Sequence, residues 1–133
     1  MLRKLMTNKI HRATVTRCDL DYVGSITIDA DLLAASGLRP NEAVAVLDLD
    51  NGNRFETYII RGESGSGEIG VNGAAAHLTE VGHKVIVLAY GLFEPHEVDG
   101  HVATSVVVDA DNRVDHVLRY DSTLEPSPVA VEG

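Results

Sequence analysis

Ala43-Val44-Ala45-Val46-Leu47-Asp48-Leu49 runs into Asp50-Asn51-Gly52-Asn53 and out again through Arg54-Phe55-Glu56-Thr57-Tyr58-Ile59-Ile60-Arg61. Both arms are rich in β-branched and aromatic residues, which fit a pleated, half-buried surface. Asn-Gly tolerates the positive φ angles of a tight reversal, so the stretch predicts a β-hairpin.

Upstream, Lys9 to Thr16 alternates imperfectly and reads as a strand wet on one face, and Ser25 to Ile28 reads as a short second strand. Asp29 or Asp31 can cap a short helix through Leu32, Leu33 and Ala35. Gly37 suits its left-handed end, and Pro40 blocks continuation. Downstream, Gly62 to Gly70 is a Gly-rich loop, Val71-Asn72-Gly73 leads into one helical turn at Ala74 to Leu78, and Lys84 to Tyr90 is the most apolar, central strand. Val102 to Val108 and Arg113 to Leu118 flank Asp109-Ala110-Asp111-Asn112 as a second hairpin. Residues 121–133, with Pro126 and Pro128, read as a flexible tail. Six or seven short strands with little helix, and no internal repeat, predict a mainly β domain closed into a barrel.

The 133 residues fit one domain, residues 1–133, and 44% hydrophobic content without Trp means a core of Val, Ile, Leu and Ala. A net charge of −9 argues against nucleic acid as partner, including for a DNA-binding relative of small barrels. The charge is uneven. Residues 1–17 carry Arg3, Lys4, Lys9, Arg12 and Arg17 and no acid, which suits an anionic small molecule. A single cysteine, Cys18, and no apolar run near the roughly 18 residues of a bilayer span predict a soluble, cytoplasmic protein with no membrane partner.

Most catalytic patterns fail on context. Gly65-Ser66-Gly67-Glu68-Ile69-Gly70 has dinucleotide-loop spacing, but that motif needs a strand directly before it and a long helix starting within it, and Val71-Asn72-Gly73 follows instead. The histidines His11, His77, His83, His96, His101 and His116 make no helical pair and no cysteine knuckle, so no metal is expected. Ser25 lacks a nucleophile elbow, and Tyr22-Val23-Gly24-Ser25 by itself is a turn before a strand.

Several segments in order change that reading: Lys9-Ile10-His11-Arg12-Ala13-Thr14-Val15-Thr16, Tyr22-x-Gly24-Ser25, Asn41-Glu42, Asn51-Gly52-x-Arg54-x-x-Thr57-Tyr58, Gly65-Ser66, Val71-Asn72-Gly73-Ala74-Ala75-Ala76-His77, and Gly82. Together, over roughly residues 1–90, they resemble the pyruvoyl-dependent aspartate 1-decarboxylases. The resemblance implies a six-stranded double-psi β-barrel with short helices, assembled as a homotetramer. It implies autocatalytic cleavage into residues 1–24 and 25–133, with Ser25 converted to the pyruvoyl group that forms a Schiff base with L-aspartate. No pyridoxal phosphate or metal is then needed. The product is β-alanine, for pantothenate and coenzyme A synthesis. By the same resemblance, Thr57 assists cleavage and contacts substrate, and Tyr58 donates the proton. Lys9, Arg54, Asn72, Gly73, Ala74 and Ala75 contact substrate. Asp21 stands where the family more often has His, and Cys18 where it has a small residue, both near the cut. From Gly91 onward the likeness is faint, and that half is expected to carry tetramer contacts or a surface for a maturation factor. The competing reading is a barrel that is never processed and serves as a ligand-binding or structural module.

Overall fold

The computed structural model describes residues 1–125 and the backbone of residues 130–132. Its strands are β1 (Arg3–Thr14), β2 (Arg17–Asp19), β3 (Ser25–Asp29), β4 (Ala43–Asp48), β5 (Arg54–Gly62), β6 (Ile69–Asn72), β7 (Lys84–Phe93), β8 (Val102–Val108), β9 (Val114–Asp121) and β10 (Ala130–Glu132). Two short helices, α1 (Ala30–Ser36) and α2 (Pro95–Val98), and a 3-10 turn at Gly73–His77 complete the described elements.

The expected hairpin is β4–β5, antiparallel from Ala43 opposite Tyr58 to Leu47 opposite Arg54. Val44, Val46 and Ile59 turn inward and are at most 2% exposed, joined by Ile10, Ala13, Val85 and Val87 from β1 and β7. Each such Val or Ile contributes about 1.5–3 kcal/mol of burial. The opposite face of the same strands carries Arg54, Glu56 and Tyr58, because side chains alternate along a strand.

Hydrogen bonding orders the sheet β10-β9-β8-β1-β7-β4-β5-β3-β6-β2, with β7 indeed interior. Pairs β1–β8, β2–β6 and β3–β5 are parallel. The segment Arg3–Asp19 serves both regions, β1 on β7 and β2 on β6. Between them the Val15 amide donates to the His83 carbonyl and the Thr16 amide to the Ile69 carbonyl, each at 2.9 Å.

Ten strands stand where six or seven were expected. The additions are β2, β6 and β10, of three or four residues each. Such pieces are too short for a period-two signal and owe their extended form to the ladder beside them. Of the tail expected at 121–133, Ala130–Glu132 pairs with β9, whereas residues 126–129 and 133 lie outside the described residues.

Two buried carboxylates pin the loops. Asp29 caps α1 by accepting from the Asp31 amide at 2.8 Å, and Gly37, at φ 80°, ends the helix with its amide on the Leu33 carbonyl. Asp29 also accepts the Gly65 and Gly67 amides, at 3.1 and 2.8 Å, which accounts for the Gly-rich loop. Burial alone raises its pKa, but these amides and Arg113 outweigh that and hold it low. Asp48 does the same for the first hairpin, accepting from the Asp50 and Asn51 amides, the Thr79 hydroxyl and His83 Nδ1. Among the described residues no helix is long and apolar enough to cross a membrane.

Candidate active site

β3 begins at Ser25, directly after an exposed turn containing Tyr22, Val23 and Gly24. Ser25 itself is fully buried. Its hydroxyl donates to the Val23 carbonyl at 2.9 Å and accepts from Asn72 Nδ2 at 2.9 Å. Asn72 closes β6 opposite Ser25, and its Nδ2 also reaches the Thr27 hydroxyl at 3.1 Å. Paired residues project to one side of a sheet, so Ser25, Thr27 and Asn72 form one buried polar patch.

Gly73 locks the turn from above. It sits at φ 73°, and a Cβ placed there would lie 2.6 Å from Gly24 Cα and 2.8 Å from its nitrogen. Only glycine permits both the left-handed backbone and that approach. Gly24 has no positive φ and nothing within 4 Å of a Cβ position, so no strain or crowding there demands glycine.

The parallel β3–β5 ladder starts at Ile26 opposite Ile59. Tyr58 and Thr57 precede Ile59 on β5 as Ser25 and Gly24 precede Ile26. Tyr58 shares the outward face with Ser25, and Thr57 points inward with Ile59. Thus Gly24, Ser25, Asn72 and Gly73 come together, with half-buried Ala75 and exposed Ala74 following in the 3-10 turn, while Thr57 and Tyr58 lie on β5 just before Ile59, the partner of Ile26.

Lys9 and Arg54 lie elsewhere on the same outward face. Arg54 is four residues before Tyr58, roughly 13 Å along β5 at about 3.3 Å per residue. Its Nη2 donates to the Tyr90 hydroxyl at 3.0 Å, and the Lys4 ammonium lies 4.9 Å from the Tyr90 ring centre. These groups, with Glu56 and Ala45, line an open cleft of about 430 Å³. Lys9 pairs with Leu88 on β7, four strands from Ser25, or roughly 19 Å along the sheet at about 4.8 Å per strand. Beside it, His11 Nδ1 is buried without a hydrogen-bond partner among the described residues, and burial, then Lys9 and Arg12, lower the His11 pKa. Cys18 is partly buried, and burial, then Glu80 and Asp48, push its thiol pKa up. It is a poor nucleophile there.

Sequence reasoning missed two members of the Ser25 patch, Thr27 and Arg17. Arg17 Nη2 donates to Asn72 Oδ1 at 3.3 Å while Nη1 pairs with Glu68 at 2.9 Å. The basic run at residues 1–17 was the available signal, but its charge excess says nothing about which residue turns toward Asn72.

A protein-family model described as aspartate decarboxylase matches residues 1–115. The match extends past Gly91, where the motif likeness had faded, and takes in β8.

Proposed function

Because the chain belongs to the aspartate decarboxylase family, we propose that it cuts itself between Gly24 and Ser25 and then removes the α-carboxylate of L-aspartate, giving carbon dioxide and β-alanine for pantothenate synthesis. The observation that carries this reading is the Ser25 hydroxyl, buried beside an exposed glycine and held between the Asn72 amide and the Val23 carbonyl.

Cleavage is an acyl shift. Ser25 Oγ bonds to the Gly24 carbonyl carbon as the Gly24–Ser25 C–N bond breaks, and the hydroxyl proton ends on the freed Ser25 nitrogen. Loss of the Ser25 α-proton then expels the Gly24 carboxylate. Water displaces the nitrogen as ammonia, leaving residues 1–24 and a pyruvoyl-headed chain of residues 25–133. Asn72 Nδ2 stabilises negative charge on Oγ, because a donor to the charged form favours it. Gly73 fits the bond being cut, since any side chain there would displace Gly24. Thr57 hydrogen-bonds the Gly24 carbonyl.

The pyruvoyl ketone supplies the electron sink for decarboxylation without pyridoxal phosphate or metal. Tyr58 delivers a proton to the carbon that loses carbon dioxide. Amides of Gly73, Ala74 and Ala75, with Asn72, hold the substrate near Ser25. Arg54 forks onto its remaining carboxylate and Lys9 adds positive charge. In the homotetramer that the resemblance implies, Arg54 and Lys9 serve the Ser25 of a neighbouring copy. The six-stranded double-psi barrel of the resemblance belongs to this reading, and the pairing of the Arg3–Asp19 segment with β7 through β1 and with β6 through β2 supports it.

Mass spectrometry of denatured protein tests the reading. Fragments 1–24 and 25–133 are expected, the second blocked to Edman degradation. Ser25→Ala should stay whole and release no carbon dioxide from aspartate. An intact wild-type chain with no carbon dioxide release overturns the proposal in favour of an unprocessed ligand-binding barrel.

A further inference from the structure

The Asn72 carboxamide has one oxygen and one NH2 group, and which of them faces Ser25 decides whether Oγ meets a donor or an acceptor. An amide oxygen toward Oγ would repel negative charge developing there; an N–H stabilises it. Ser25 and Thr27 do not fix the choice, because the Ser25 proton can turn from the Val23 carbonyl to an amide oxygen and the Thr27 hydroxyl can donate or accept. Arg17 does, because a guanidinium carries donors only.

We propose that Arg17 is a positioning residue for cleavage at Gly24–Ser25, holding the Asn72 oxygen at 3.3 Å so that Nδ2 stays on the Ser25 hydroxyl at 2.9 Å. This rests on the self-cleavage reading above. Arg17 is itself fixed on two sides. It lies opposite Gly70 in the β2–β6 ladder, its guanidinium packs over that residue where a Cβ would lie 2.9 Å from Nη2, and Glu68 takes Nη1 at 2.9 Å. A guanidinium already committed to Glu68 and Asn72 is poorly available to a substrate carboxylate, so its task is to orient the amide. Without it, the carboxamide is free to turn over and accept from both hydroxyls, which removes the donor to Oγ at the moment of attack.

The test is a time course of cell-free synthesis of the full chain, following the uncut band and the 25–133 fragment. Arg17→Met should slow cleavage roughly tenfold, the value of one charge-assisted hydrogen bond. Arg17→Lys, which keeps a cationic donor, should recover part of the rate. In an Asn72→Ala background, Arg17→Met should cost nothing further, since the residue it orients is gone. Thermal melting of the same variants on Ser25→Ala chains shows whether each still folds, and if Arg17→Met does not, Arg17→Lys with and without Asn72→Ala replaces it in the comparison. Equal cleavage rates for wild type and Arg17→Met overturn the proposal, as does an undiminished effect of Arg17→Met without Asn72. A wild-type chain that never cuts defeats the self-cleavage reading itself, and the proposal with it, which is a distinguishable result.

Discussion

Asp48 and Ser25 are both buried polar groups at strand ends, and they are satisfied in opposite ways. The Asp48 carboxylate accepts from two backbone amides, a threonine hydroxyl and a histidine, so every lone-pair direction is used and the group can only hold. The Ser25 hydroxyl is held by neutral groups instead. A neutral amide and two hydroxyls share the patch, with Arg17 at its edge, and the turn beside it is exposed. A saturated charge makes a pin; a neutral hydroxyl next to open backbone keeps a nucleophile available. Asp48, Asp50 and His83 also place donor atoms within 4.8 Å of one another, but Asp48 is spent on the turn and Asp50 accepts the Lys84 amide at 2.8 Å.

Breaking the pin should have the larger effect on stability. Asp48→Ala takes the partner from His83 Nδ1, the Thr79 hydroxyl and two amides and should cost about 3 kcal/mol, measured by urea unfolding of the uncut Ser25→Ala chain. Gly73→Ala attacks the other region. The left-handed backbone and the 2.6 Å approach to Gly24 should cost about 1–3 kcal/mol and also reduce the cleaved fraction, whereas Asp48→Ala should spare cleavage in molecules that fold.

The smallest effect is a pH dependence. The Asp48 hydrogen bond, against some burial, raises the His83 pKa, with Asp50 and Glu80 adding to the rise. A raised folded-state pKa means that the stabilisation is complete below about pH 6.5 and is lost as pH climbs through the folded value. Stability should therefore fall modestly from pH 6 toward pH 8, and His83→Gln should flatten that slope. The Asp48 carboxyl runs the other way. Burial raises its pKa, but the hydrogen bonds from His83, Thr79 and the Asp50 and Asn51 amides prevail and lower it. Its contribution is present above about pH 3.9 and is lost as pH falls through the depressed value. Thermal melts across pH would check both slopes.

Local chemistry in the chain determined the two hairpins, the capped α1, the Gly37 stop and the central β7, because each rests on residues within a few positions of one another. The family likeness likewise depended on short motifs that survive without any knowledge of folding. Only the tertiary structure decided that Asn72 faces Ser25 across the β3–β6 ladder, that Gly73 rests on Gly24, and that Arg17 settles the Asn72 amide, since these pairs lie 47, 49 and 55 residues apart. It also set Lys9 on β1 and Arg54 at the far end of β5 from Tyr58. Composition places cations in a segment, but strand order and register determine what they can touch.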